Sequence, residues 1–368
     1  MSENRDSIVN SKKGLSRREF LKRAFSAGAL LLPESDLVPI ELATKSPRIE
    51  NDELQLENNY VEYPELLSWD EWKDLTWQEK ELYFNNLPPE IFPIGTRDLI
   101  NNAINAGADT QRVTFVSDSR LDDPIRYPYN FSDTDSEYIE SSQENLYEDI
   151  MSAQQHFGAY FQDVHESAAS HSGFNSAMLI YDSITVTKEI KDLQPDGQRN
   201  NSPMIAEYER TDLKSPLISM FLFGRNDWVA GKIEDLDYYS ENMTTALHET
   251  LIRNIIPVLI LAPELEFKKY AIEQAEHGDT LYNFQLDYDY KFLIHARERN
   301  IPVLNLWNSM RKINETYGLG NLTGHFSGTN YEFTPDLYDR GVLDESGRNR
   351  EFNLQIIKML LRFKDELE

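Results

Sequence analysis

The sequence predicts an α/β protein built in three layers, α/β/α, with helices on both faces of a mostly parallel sheet of about five strands. Two observations carry this. From Thr96 onward, apolar runs of strand length alternate with stretches of helix length, and runs such as Leu217–Phe223 have the make-up of strands buried on both faces. Apolar residues form 40% of the 368, which is ample for a packed core.

The elements follow in order. Residues 34 to about 60 are rich in Glu, Asp, Asn and Pro without a period and read as a linker. Between Tyr63 and Leu87, Trp69, Trp72 and Trp77 fall at helical spacing, which predicts one or two short amphipathic helices with the tryptophans as core anchors. Helices are expected over Thr96–Ala106, Glu144–Ser170, Tyr238–Asn254, Tyr282–Asn300 and about Glu351–Glu368. Strands are expected over Val113–Val116, Ala177–Ile184, Leu217–Phe223, Ile256–Ala262 and Ile301–Leu306. Ser132–Glu144 and Lys188–Asn201 read as loops, His295 as a helix-surface residue, and no repeat of 20 to 50 residues stands out.

The N-terminus carries an address. Ser16-Arg17-Arg18-Glu19-Phe20-Leu21-Lys22 looks like a twin-arginine export signal, followed by apolar Ala24–Leu32 and then Pro33. Residues 1–33 hold 7 basic and 3 acidic side chains, net +4, which leaves −31 on the rest of a chain whose total is −27. The expected location is extracytoplasmic, and a membrane is expected as a partner only if the signal is left uncleaved. Such acidity argues against nucleic acid as a partner, because polyphosphate binding needs basic stripes.

No cysteine is present, so thiolate nucleophiles, disulfides, Fe–S clusters and cysteine-ligated zinc are excluded. The seven histidines form neither His-Glu-x-x-His nor His-x-His pairs, so no metal site and no cofactor is expected. What remains is oxygen and imidazole chemistry.

Two polar clusters stand at strand ends: Ser117-Asp118-Ser119 after Arg112–Val116, and Gly224-Arg225-Asn226-Asp227 after Leu217–Phe223. Open α/β sheets bind ligands at the carboxyl ends of their strands, so both clusters occupy site positions. A serine hydroxyl there needs a base, and histidine serves near neutral pH.

A strand ending in Asp-Ser, a later strand ending in Gly-x-Asn-Asp, and a histidine in a C-terminal loop together resemble the SGNH, or GDSL, hydrolases. The resemblance covers roughly residues 110 to 365. It implies a flavodoxin-like sheet of SGNH type over residues 96–368, preceded by the signal segment 1–33 and by the acidic linker and short helical extension 34–95. It implies Ser119 as nucleophile, His325 in Asn321-Leu-Thr-Gly-His325 as base, and oxyanion donors from Asn226 and from Gly173 in His171-Ser-Gly-Phe-Asn175. Asp118, Asp227 and Asn321 would support these groups. Two positions depart from the family pattern: Ser117 stands where it has glycine, and Leu322 where it has the aspartate that orients the histidine. Asn321, a backbone carbonyl, or an acid such as Asp336 or Asp339 is left for that task. The expected activity is hydrolysis of an acyl or acetyl ester on a small molecule, glycan or lipid. The alternative is a non-catalytic relative that binds a glycan or cell-envelope component in the same cleft.

Overall fold

The computed structural model describes residues 60–117, 146–157, 169, 179, 202–210, 213–223, 236–261, 275–308 and 345–368. The chain divides into two compact units, Met1–Asp52 with Leu67–Asp74, and Glu53–Leu66 with Leu75–Glu368. The described part of the first unit is helix α1 (Trp69–Lys73), and its N-terminus is written in the sequence. Ser68 Oγ accepts from the Glu71 N–H at 3.2 Å, while the Glu71 carboxylate accepts from the Ser68 N–H at 2.9 Å. This reciprocal capping box satisfies two of the donors that a helix start leaves open. Trp72 of this helix is fully buried.

The second unit begins with α2 (Trp77–Asn86), capped in the same way by Thr76 and Glu79. Then follow β1 (Glu90–Ile91), α3 (Thr96–Asn105), β2 (Asp109–Ser117), α4 (Leu146–His156), α5 (Pro203–Tyr208) and β3 (Pro216–Leu222). Next come α6 (Leu236–Leu251), β4 (Ile256–Leu261), α7 (Ala275–Glu298), β5 (Val303–Asn305) and α8 (Glu345–Leu367). The five strands form one sheet in the order β1-β5-β4-β3-β2.

Adjacent pairs from β2 to β5 run parallel, whereas β1 pairs antiparallel with β5, Glu90 opposite Leu304 and Ile91 opposite Val303. The protein is thus of the α/β class, but its sheet is mixed, which corrects the mostly parallel sheet expected from sequence. Pro88-Pro89 and Pro93 bracket β1 and keep it short, and a strand hemmed by proline is confined to a sheet edge. A second correction concerns Ala177–Ile184. Leu179, the described residue of that run, is buried but helical, so at this position the strand reading fails. A short apolar run suits a buried helix as well as a buried strand.

Every residue of β3 and β4 is buried, as strands covered on both faces require. Ile218, Met220 and Leu222 of β3 join Val258 and Ile260 of β4, Ile100 of α3, and Ile356, Leu360 and Phe363 of α8 in one core. Phe363 meets Phe92 edge to face at a ring separation of 5.1 Å. The intervening β3 residue Ser219 belongs to a different set of contacts. Its hydroxyl lies 2.7 Å from the Tyr208 hydroxyl of α5, which lies 3.0 Å from Thr250 Oγ1 of α6. All three groups are buried and hydrogen-bonded, so they tie two helices to the sheet at little desolvation cost. Burial raises the Tyr208 phenol well above its ordinary pKa and keeps it protonated.

Two helix-to-strand turns use the same device. Asn254 and Asn300 adopt left-handed backbone, at φ 57° and 54°, directly before β4 and near the start of β5. In the first, Ile255 N–H reaches Thr250 O at 3.2 Å and Asn254 N–H reaches Leu251 O at 2.9 Å. In the second, Ile301 N–H reaches Ala296 O at 2.9 Å and Asn300 N–H reaches Arg297 O at 3.3 Å. This is the Schellman arrangement, and asparagine adopts its left-handed position more readily than other side chains do. Gly95 lies against the second turn, where a Cβ would stand 2.6 Å from Asn300 Cγ, so only glycine fits.

At the amino end of β2, Arg112 is pinned to α5. Its Nη2 lies 2.6 Å from Glu207 Oε1, its Nη1 donates to the Lys214 carbonyl, and Arg210 Nη1 approaches Glu207 Oε2 at 3.5 Å. All three charged side chains are at least nine-tenths buried.

Candidate functional site

Because β2, β3, β4 and β5 are mutually parallel, their carboxyl ends share one edge of the sheet, the edge where this class of sheet holds ligands. The best-defined point on that edge is Ser117, the last residue of β2, which is paired with Leu222, the last residue of β3. Ser117 is fully buried, and its hydroxyl donates to Leu222 O at 3.1 Å. On its other side the Ser117 N–H donates to Ala169 O at 3.0 Å. Three chain segments therefore meet at one rung.

The residues expected from sequence to form the site, Ser119, Asp118, Gly173, Asn226, Asp227, Asn321 and His325, lie outside the described residues. So do Leu322 and the signal segment. Some of them stand close in sequence to described residues of that rung. Ser119 follows Ser117 by two residues, Gly173 follows Ala169 by four, and Asn226 follows Leu222 by four. Ser117, Ala169 and Leu222 are themselves hydrogen-bonded neighbours. His325 is 17 residues beyond Asn308 and stands far from all three in sequence.

Further along the same edge, the chain after β5 is held by residues that sequence reasoning did not single out. Asn305 is buried, and its Nδ2 donates to Phe84 O at 2.9 Å at the end of α2, while its Oδ1 accepts from the Trp307 N–H at 3.2 Å. Trp307 stacks on Phe84 with rings 5.0 Å apart, and its Nε1 donates to Asp289 Oδ2 of α7 at 3.0 Å. The available signal was a polar residue inside an otherwise apolar strand, Leu304-Asn305-Leu306, since a buried amide needs partners.

A serine, a histidine and a carboxylate do meet among the described residues, away from the strand ends. Ser240 Oγ of α6 lies 3.0 Å from His295 Nε2 of α7, and His295 Nδ1 lies 3.6 Å from Glu298 Oε2. His295, expected on a helix or loop surface, lies on α7 and is partly exposed. Burial first, and the Arg299 guanidinium second, hold its pKa below the ordinary histidine value, so the ring is neutral near pH 7. Ser240 sits within a helix, where its own N–H belongs to the helical ladder and cannot serve as an oxyanion donor. The contact reads as a tie between α6 and α7, alongside the Lys291–Asp237 ion pair. Among the described residues, no group of three His, Asp or Glu side chains is arranged to hold a metal ion.

Set against protein-family models, curated proteins and solved structures, the chain matches none.

Proposed function

We propose that this protein is a serine hydrolase of SGNH type that cleaves an acyl or acetyl ester on a carbohydrate or lipid. In this reading Ser119 is the nucleophile, His325 its base, and Asn226 with the Gly173 N–H the oxyanion donors. The observation that carries it is the rung at Ser117, from which the Asp-Ser and Gly-x-Asn-Asp motifs leave neighbouring strand ends within a few residues of each other. The bond from Ser117 to Ala169, four residues before Gly173 in the sequence, supports the reading as well.

The three-layer, flavodoxin-like form of the fold belongs to this proposal too. The order β2-β3-β4-β5 supports it, being the order such sheets have when their second strand is left out. The bond from the Ser117 N–H to Ala169 O supports it as well, because Ala169 belongs to the segment between β2 and β3 that would carry the second strand of such a sheet. A crystal structure with another element there would contradict it.

The chemistry is oxyanion stabilisation plus proton transfer. Attack by the serine oxygen forms a tetrahedral intermediate, and each well-placed donor to its oxyanion is worth about 3 to 4 kcal/mol. The imidazole takes the hydroxyl proton and returns it to the departing alkoxide, after which water repeats the cycle. The purified protein is expected to hydrolyse short-chain aryl esters at neutral pH, with turnover falling as His325 becomes protonated. Absence of turnover on acetyl and butyryl esters, with a defined affinity for an envelope glycan in calorimetry, would favour the non-catalytic reading instead. Leu322, in the place of the orienting acid, is the residue that keeps that second reading in play.

Export belongs to the same proposal and rests on Arg17 and Arg18. Replacing both with lysine keeps the charge but removes the paired guanidinium groups that a receptor reads. The variant is expected to remain in the cytoplasmic fraction, and normal export of it would show that the pair is incidental.

A further inference from the structure

We infer that Ser117 is a positioning residue, whose side chain fixes the carboxyl ends of β2 and β3 to each other and so sets the spacing at which the two motifs follow them. Its bearing on catalysis rests on the serine-hydrolase reading above; the latch itself does not.

The geometry is specific. Backbone pairing already aligns Val113 through Ser117 with Ile218 through Leu222 without a shift. Ser117 and Leu222 are the last residues of β2 and β3, and strand ends open more readily than strand centres. At this rung the side chain adds a bond, from Ser117 Oγ to Leu222 O at 3.1 Å, between two buried residues. The N–H of the same residue holds Ala169 O at 3.0 Å. One residue therefore joins three chain segments, each two to four residues from a proposed catalytic or oxyanion group. Glycine, which the family resemblance would put here, has no hydroxyl and cannot make the cross-strand bond. Serine is thus a local gain of rigidity at the ends of the two strands. A shift of about 1 Å in such a constellation can cost about a hundredfold in rate, so the spacing is worth fixing.

The test uses the full-length protein and the variants S117A and S117G, with two readouts. In hydrogen exchange followed by mass spectrometry, S117A should speed exchange in peptides ending at Ser117 and at Phe223 about tenfold, as expected when a buried carbonyl loses a donor. Peptides from β4 and β5, covering Val258 and Leu304, should stay within twofold of wild type. Unchanged exchange at both strand ends would overturn the latch, and so would an equal rise across the whole sheet, which is general destabilisation.

In ester turnover, S117A should lower kcat about tenfold with KM unchanged, and S117G by at least as much. Faster exchange with unchanged kcat in an active enzyme would show the bond to be structural only and would overturn the positioning role. If the wild-type protein turns over no ester, the hydrolase reading fails by itself, and the exchange readout still decides whether the latch exists.

Discussion

Ser119→Ala is expected to lose essentially all ester turnover, a fall in kcat on the order of 10⁴- to 10⁶-fold. The size follows from what the hydroxyl does. It is both the atom that forms the acyl intermediate and the group whose proton the base removes, so no neighbour can stand in for it. Residual activity would come from oxyanion donors acting on a water molecule, which in serine proteases leaves about 10³- to 10⁴-fold over the uncatalysed rate. His325→Ala should lose a comparable amount, and the double variant little more than either single one, because the two residues act as a unit. Asn226→Ala should fall by the smaller factor of about 10² to 10³, mainly in kcat, since an oxyanion donor acts chiefly in the transition state. Stopped assays of the purified variants, each checked for retained fold, measure all of this. Near-normal turnover in Ser119→Ala would remove the nucleophile assignment outright.

The largest expected effect on stability lies at the other end of β2. Glu207→Gln keeps the shape of the side chain but removes the negative charge that faces both Arg112 and Arg210. Breaking a buried ion pair from one side strands the remaining charge, and such changes cost about 3 to 5 kcal/mol. Two guanidinium groups lose their common carboxylate here, so the upper part of that range is expected. Exposed pairs such as Lys73–Asp70, where the aspartate is 91% exposed, should contribute little, because water and salt screen them. Urea unfolding at constant slope measures the difference. A cost below about 1 kcal/mol for Glu207→Gln would mean that water reaches the network and screens it.

Much of this fold is legible from the residues. Pro216–Leu222 and Ile256–Leu261 are apolar or uncharged throughout and flanked by helical stretches, and both form parallel strands buried on both faces. The helix over Ala275–Glu298 is also visible, although it begins several residues before Tyr282, the start its pattern suggests. Other elements are hidden for physical reasons. Two residues, Glu90 and Ile91, cannot establish an alternating pattern between prolines, so the antiparallel edge strand goes unseen. The run Ala177–Ile184 has no period that separates strand from helix, and Leu179 is helical. Arg253-Asn254-Ile255-Ile256-Pro257-Val258-Leu259 and Arg299-Asn300-Ile301-Pro302-Val303-Leu304 echo each other, yet the likeness acquires meaning only once both asparagines are found with positive φ. Ser68-Trp-Asp-Glu71 and Thr76-Trp-Gln-Glu79 are capping boxes that could have been read from spacing alone.

The site divides along the same line. Residue types that suit acyl transfer stand out because Asp118-Ser119 and Asn226-Asp227 follow apolar runs. The structure adds that the two runs are adjacent parallel strands ending on one rung, a fact set by long-range pairing and absent from either motif. Ser117 was visible as part of a strand-end polar cluster, but its role depends on a carbonyl 105 residues away. Asn305, Trp307 and Asp289 likewise act through partners far off in sequence, which no local window contains.

The central claim is that Ser119 is an activated nucleophile, and a fluorophosphonate tests it most directly, because this probe reacts quickly only with a serine whose proton a neighbouring base removes. The protein would be treated with the probe and the modified peptide located by mass spectrometry, in parallel with the His325→Ala variant. A single adduct on Ser119, lost when His325 is replaced, is the predicted result. Failure of the wild-type protein to react, or an adduct on another serine such as Ser240 beside His295, would contradict it.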